Sequence, residues 1–104
     1  MTTLVDHRGR AVRLTRERLE HILLHPEMAG LEAAIAESLR QPERVIQSLS
    51  DPDAWLYYRR YPVTPVGNKY LCVVVKSGAT DAFVVTAYLT DKAKRGTLLW
   101  PETR

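Results

Sequence analysis

The segment KYLCVVVKSGATDAFVVTAYL, residues 69–89, decides the fold of this chain. Residues Lys69–Lys76 are apolar on both faces in their middle, a pattern typical of a central strand that is covered on both sides. Residues Ala82–Leu89 are also mostly apolar, and only Ser77–Asp81 separates the two runs. Because two parallel strands need a crossover of a dozen or more residues, this short connection predicts an antiparallel pair.

Two further strands are predicted on the N-terminal side of this pair. Residues Arg44–Ser50 and Trp55–Tyr61 have the composition of strands, and the turn Ser50-Asp51-Pro52-Asp53 separates them. The loop Pro62–Asn68 then leads into the central strand. Successive strands with such short connections predict a four-stranded antiparallel meander.

Two helices are predicted before these strands, and each is ended by a proline. Thr15 is a suitable N-cap for the first helix, Arg16–His25, which Pro26 ends. The second helix, Leu31–Gln41, is ended by Pro42. Apolar residues recur at helical spacing in both, so each helix presents one face to a core.

The N-terminal residues predict a short hairpin, with Leu4-Val5 and Ala11–Leu14 as its arms. The predicted fold is therefore a single α+β domain, residues 1–104, with two N-terminal helices packed on a four-stranded antiparallel sheet. The basic and then apolar tail, Asp91–Arg104, is expected to dock back on the core.

Composition excludes several classes of protein. Of 104 residues, 45% are hydrophobic and 26% charged, which excludes a disordered or fibrous chain. The longest apolar run, Leu71–Val75, is far shorter than the ~20 residues of a membrane span. The start, MTTLVDHRGR, lacks the apolar region of a secretion signal. The lone Cys72 fits a reducing compartment, so we expect a cytoplasmic protein.

The charge is distributed unevenly along the chain. Residues 1–53 carry seven Lys or Arg against nine Asp or Glu, whereas residues 54–104 carry eight against three. The basic half also holds every Trp, Tyr and Phe. Cations that neutralise phosphates and rings that stack on unpaired bases are typical of a nucleic-acid-binding surface. The alternative is that strands simply favour aromatic residues and that solubility requires charge.

His21 and His25 are the first candidate catalytic residues. They lie four residues apart on the first predicted helix, away from its apolar stripe, and imidazole exchanges protons near neutral pH. The alternative is that both are solvated surface histidines. The sequence HILLH lacks the glutamate of the HExxH zinc motif, and one cysteine adds no further ligand cluster. We therefore expect no metal ion and no other cofactor.

The predicted strands supply a second group of candidates. Cations and hydroxyl groups together bind phosphate oxygens, and the candidates of these types are Arg60, Lys76, Thr86 and Tyr88. Strand alternation places Tyr58 and Arg60 on one face and Tyr57 and Arg59 on the other. The residues expected to contact RNA are Tyr57, Tyr58, Arg59, Lys92, Lys94 and Arg95. The alternative is a solvated face with cross-strand Thr–Tyr pairs.

Several stretches carry a resemblance to a known class of nucleases. They are LTRERLEHILLHPEM (14–28), YYRRYP (57–62), KYLCVVVK (69–76) and AFVVTAYLTDKAKRG (82–96). Together they resemble the small phage and bacterial domains of the Barnase–EndoU–colicin–RelE (BECR) class, over Val12–Gly96. The resemblance implies helices followed by a four-stranded antiparallel sheet, as the pattern of elements also predicts.

The resemblance also implies an activity, that of a metal-independent ribonuclease and often a toxin. In such an enzyme the ribose 2′-hydroxyl attacks the adjacent phosphorus. By the resemblance, His21 or His25 takes the proton of that hydroxyl. Arg59 or Arg60, with Lys76, then stabilises the charge that develops on the phosphate.

The last strand completes the implied site. Thr86 and Tyr88 position the phosphate, or Tyr88 protonates the leaving oxygen. The competing hypothesis is a non-catalytic module on the same fold, whose basic face binds RNA or a small acidic, antitoxin-like protein. In that module the histidines are incidental. A third hypothesis is a structural protein that forms a homodimer through its sheet edge or its apolar tail.

Overall fold

The computed structural model describes residues 2–102, and its centre is one mixed sheet of seven strands. The strands are β1 (Thr2–Val5), β2 (Ala11–Leu14), β3 (Arg44–Ser48), β4 (Ala54–Tyr61), β5 (Lys69–Ser77), β6 (Ala82–Thr90) and β7 (Gly96–Trp100). Two helices, α1 (Arg16–Leu23) and α2 (Glu32–Arg40), lie between β2 and β3 in the chain, with a short 3-10 helix (Pro26–Met28) between them.

The prediction of a four-stranded sheet that follows two N-terminal helices is wrong, because the sheet has seven strands. The strand order is β1-β2-β6-β5-β4-β3-β7, and the N-terminal hairpin precedes both helices. The meander β3 to β6 forms as an antiparallel unit, but it would leave two open edges. Unpaired N–H and C=O groups at such edges pair readily with further strands. Here β2 joins β6 in parallel through Arg13 and Phe83, and β7 joins β3 antiparallel.

Both helices pack on the same face of the sheet. Ile22 of α1 and Ile35 of α2 are fully buried there, in one cluster with Val73 of β5 and other apolar strand residues. Thr15 caps α1 as expected, because its hydroxyl accepts the N–H of Arg18 at 3.1 Å. The helix ends at Leu23, so His25 lies beyond it.

The opposite surface of the sheet, which we call the helix-free face, carries a second apolar cluster. Its buried members are Ile46, Leu56, Tyr58 and Cys72. Residues 91–95, which we call the strap, cover this cluster: Ala93 packs against it, and the Lys94 N–H donates to the Tyr58 hydroxyl at 3.0 Å. The strap connects β6, inside the sheet, to β7 at its edge, and thus passes three intervening strands.

Candidate nucleic-acid interface

The structure brings the predicted strand residues together on the helix-free face. Thr86 lies opposite Val74, and Tyr88 lies opposite the buried Cys72. A bulge in the β5–β6 register puts Phe83 on this face too, opposite Lys76. In a regular strand, alternation would place Phe83 and Thr86 on opposite faces, so the bulge creates this grouping.

Cations lie over aromatic rings on this face. Such a pair contributes about 0.5–1 kcal/mol at an exposed site and holds both side chains in place. The pairs are Arg13 over Phe83 (5.6 Å), Arg60 over Tyr70 (5.3 Å) and Lys94 over Tyr88 (6.0 Å). The three rings come from two adjacent strands, β5 and β6, and are spread along the face, since Tyr70 and the partner of Phe83, Lys76, lie six residues apart on β5.

The cations differ in whether a carboxylate neutralises them. The Lys76 Nζ lies 2.5 Å from an Asp51 oxygen, and this hydrogen bond raises the pKa of Lys76 and lowers that of Asp51. Arg13 is bound by Asp81. Within residues 2–102, no carboxylate lies within 4.0 Å of the side-chain nitrogens of four other cations: Arg60, Lys92, Lys94 and Arg95. These four carry the uncompensated positive charge of the face and the strap.

The Tyr88 hydroxyl is buried and has no hydrogen-bond partner among the described residues. Burial raises the pKa of Tyr88, and the adjacent Cys72 raises it further. The hydroxyl therefore stays protonated at neutral pH and remains a hydrogen-bond donor. The buried thiol of Cys72 has its own pKa raised by burial, so it is not a nucleophile at neutral pH.

The two predicted catalytic histidines are not part of this face. His21 and His25 are exposed, with their ring centroids 6.5 Å apart, on or just after the helix that packs on the opposite side of the sheet. The His25 Nδ1 lies 3.8 Å from a Glu27 oxygen. The sheet therefore separates both imidazoles from Thr86 and Tyr88.

Of the residues expected to contact RNA, two are buried and a third, the partly exposed Arg59, is held by contacts within the protein. Tyr57 and Tyr58 are each only 1% exposed, so neither ring can stack on a base. The Arg59 Nε lies 3.3 Å from a Glu37 oxygen, and its Nη1 donates to the Gln41 carbonyl at 2.7 Å. Arg59 thus ties α2 to β4. Of the six, the strap residues Lys92, Lys94 and Arg95 are exposed.

A buried polar cluster in the β1–β2 turn was missed in the sequence. Asp6 is 3% exposed, and its Oδ1 accepts the backbone N–H groups of Arg8 and Arg10, at 2.9 Å each. Its Oδ2 accepts the Tyr57 hydroxyl at 3.0 Å. The His7 ring lies 4.9 Å from the Trp100 ring, and its side chain is 5% exposed. The run DHRGR signals only a polar turn, and its burial depends on strands distant in the chain.

Comparison with known proteins adds no relative: no family model, no curated protein and no solved structure matches this chain. Neither helix in residues 2–102 is long and apolar enough to cross a membrane. In the same range, no group of three or more His, Cys, Asp or Glu side chains is placed to hold a metal ion.

Proposed function

We propose that the protein binds RNA through the helix-free face and the strap. The observation that carries this proposal is the set of three cation–ring pairs on this face, two of whose cations, Arg60 and Lys94, no carboxylate of residues 2–102 neutralises. Free cations bind phosphates, and rings half-exposed beside them offer stacking surfaces to unpaired bases. The rings favour a single strand over a duplex, whose bases are already stacked on each other.

The salt dependence of binding tests the proposal. Four uncompensated cations predict a slope of about −3 for the logarithm of the affinity against the logarithm of the salt concentration, at about −0.7 per phosphate on a single strand. Fluorescence anisotropy with a labelled single-stranded RNA measures it. Lys94→Ala should reduce the steepness by about 0.7, because it removes one phosphate contact.

Arg40→Ala is the matched control for this experiment. It removes the same charge from the exposed end of α2, on the side of the sheet that the helices cover. The proposal expects the slope of this variant to equal that of the wild type. Equal effects of the two variants, or no binding of RNA, would overturn it. Binding of a small acidic protein but not of RNA would favour the protein-binding hypothesis.

Metal-independent RNA cleavage is the second candidate function. The position of Thr86 and Lys94 on one face supports it, because a hydroxyl and a cation can both bind the phosphate that is cleaved. The Tyr88 hydroxyl is buried and does not reach the RNA, so the 2′-hydroxyl proton passes to water and water returns a proton to the leaving oxygen. The positions of His21 and His25 do not support it, since the sheet separates them from these groups. If this face cleaves RNA, the histidines take no part.

Incubation of the purified protein with RNA in excess EDTA tests cleavage. On this hypothesis Lys94→Ala lowers the cleavage rate at saturating RNA, whereas the double variant His21→Ala/His25→Ala retains it. Loss of cleavage in the histidine variant would place the catalytic centre on α1. If the RNA stays intact with the wild type and with both variants, the cleavage hypothesis is wrong and only the binding function remains.

A further inference from the structure

We infer that a cleft at the border of the helix-free face binds a single unpaired nucleotide of the RNA, with the base stacked on the Arg13 guanidinium. This inference rests on the proposed function, because it describes how one nucleotide of the same RNA is held. The cleft has a volume of about 240 Å³ and lies where β2 ends and α1 begins. Its lining residues are Arg13, Thr15, Arg18, Phe83 and Val84.

The Arg13 side chain is fixed on two sides. Its Nε and Nη2 bond the two carboxylate oxygens of Asp81, at 3.0 and 2.5 Å, which is the bidentate arrangement of Arg–carboxylate pairs. Its guanidinium carbon lies 5.6 Å from the centre of the Phe83 ring. A planar cation held in this way is already ordered, so a base can stack on it at little cost in side-chain entropy.

The two arginines of the cleft differ in whether a carboxylate neutralises their charge. Asp81 neutralises Arg13, so this residue offers a flat surface more than a free charge. Arg18 is exposed, and within residues 2–102 no carboxylate lies within 4.0 Å of its guanidinium. The arrangement therefore suits a base against Arg13 and the phosphate of the same nucleotide against Arg18.

The size and position of the cleft agree with one nucleotide. Its volume of about 240 Å³ is below the ~300–1,000 Å³ of pockets for drug-sized ligands, which suits a single base. Phe83 is 38% exposed and lies opposite Lys76 on the helix-free face. A strand bound along that face thus reaches the cleft without leaving the surface.

The test uses a single-stranded oligouridine RNA that carries one 2-aminopurine, and the same oligomer with an abasic site in that place. In the wild type, stacking on Arg13 should quench the 2-aminopurine fluorescence, and the abasic oligomer should bind about tenfold more weakly. Arg13→Lys keeps the charge but removes the plane. It should lose the quenching and bind the two oligomers with equal affinity.

Two further variants keep the result interpretable. Phe83→Leu removes the support behind Arg13 and should also reduce quenching, whereas Arg16→Lys is the control and should behave as the wild type. A phosphate bound by Arg18 is a fifth contact and makes the wild-type slope about −3.5, so Arg18→Ala should retain quenching and return the slope to about −3. Circular dichroism checks that each variant is folded. If either Arg13→Lys or Phe83→Leu fails to fold, the remaining one of these two variants tests the site.

The outcomes separate this inference from the proposed function. If the wild type binds RNA but does not distinguish the abasic oligomer, the nucleotide site is wrong and RNA binding stands. Quenching that survives both Arg13→Lys and Phe83→Leu also overturns the site. If the wild type binds neither oligomer, the proposed function itself fails.

Discussion

Replacement of Tyr57 by phenylalanine removes one hydroxyl from a cluster that solvent does not reach. Tyr57 is 1% exposed, and its hydroxyl donates to Asp6, which is 3% exposed. A hydrogen bond to a charged group contributes about 1.5–3 kcal/mol. The carboxylate keeps its two backbone donors in the variant. We therefore expect Tyr57→Phe to lower the free energy of unfolding by about 2 kcal/mol.

Asp6→Ala should be more damaging, because it removes three hydrogen bonds at once. The buried Tyr57 hydroxyl loses its acceptor, and the N–H groups of Arg8 and Arg10 lose theirs. We expect a loss of about 4 kcal/mol, out of the ~5–15 kcal/mol typical of a whole domain. Burial and the Asp6 charge both raise the pKa of Tyr57, so its hydroxyl remains a donor at neutral pH.

Urea denaturation followed by tryptophan fluorescence measures both losses, provided that unfolding is two-state. Tyr70→Phe is the matched control, because the Tyr70 hydroxyl makes no hydrogen bond within residues 2–102, and its effect should stay below about 0.5 kcal/mol. If Tyr57→Phe costs no more than Tyr70→Phe, the cluster does not stabilise the fold. If Asp6→Ala lowers the free energy of unfolding no more than Tyr57→Phe does, the hydrogen bonds from the turn backbone to Asp6 do not contribute to stability.

Two further predictions concern the turn and the last strand. Burial lowers the pKa of His7, although Asp6 opposes this, so the unfolded chain binds the proton at higher pH than the folded one. Stability should thus fall as the pH falls below about 6.5. In His7→Leu the free energy of unfolding should fall less between about pH 7.5 and pH 5 than in the wild type. Urea unfolding at both pH values measures this difference, and an equal fall in the two proteins would contradict the prediction. A Cβ at Gly96 would collide with the Gln47 carbonyl, so Gly96→Ala should lower the free energy of unfolding by about 1–3 kcal/mol. Thr97→Ala is the control, and an equal loss in both variants would show that the collision does not occur.

The meander was predictable from the sequence because its strands are long and their patterns are local. The central strand was expected at Lys69–Lys76 and is found at Lys69–Ser77, and the α1 cap at Thr15 was also read correctly. The seventh strand was missed. Leu98 and its neighbours form a short apolar run, and only the distant edge of β3 makes that run a strand. Such pairing is a tertiary effect that local propensity does not contain.

The site was only partly predictable for the same reason. Thr86 and Tyr88 share a face by simple alternation, and the structure agrees. The position of Phe83 beside them depends on a bulge, which has no clear signal in the run of valines and alanines around it. The location of His21 depends on which side of the sheet α1 packs. Amphipathic spacing shows that a helix has an inner face, but not which face of the sheet it covers.

The position of β7 also determines the order in which the fold can be completed during synthesis. Strand β7 is made after the other six strands, yet it pairs with β3, the first strand of the meander. Until residues 96–100 are added, the outer edge of β3 has no partner and the strap has no anchor beyond it. A nascent chain at that stage exposes both an open strand edge and the cluster around Tyr58, a combination that favours pairing with other chains. Synthesis of residues 91–100 thus closes the edge and covers the cluster in one step.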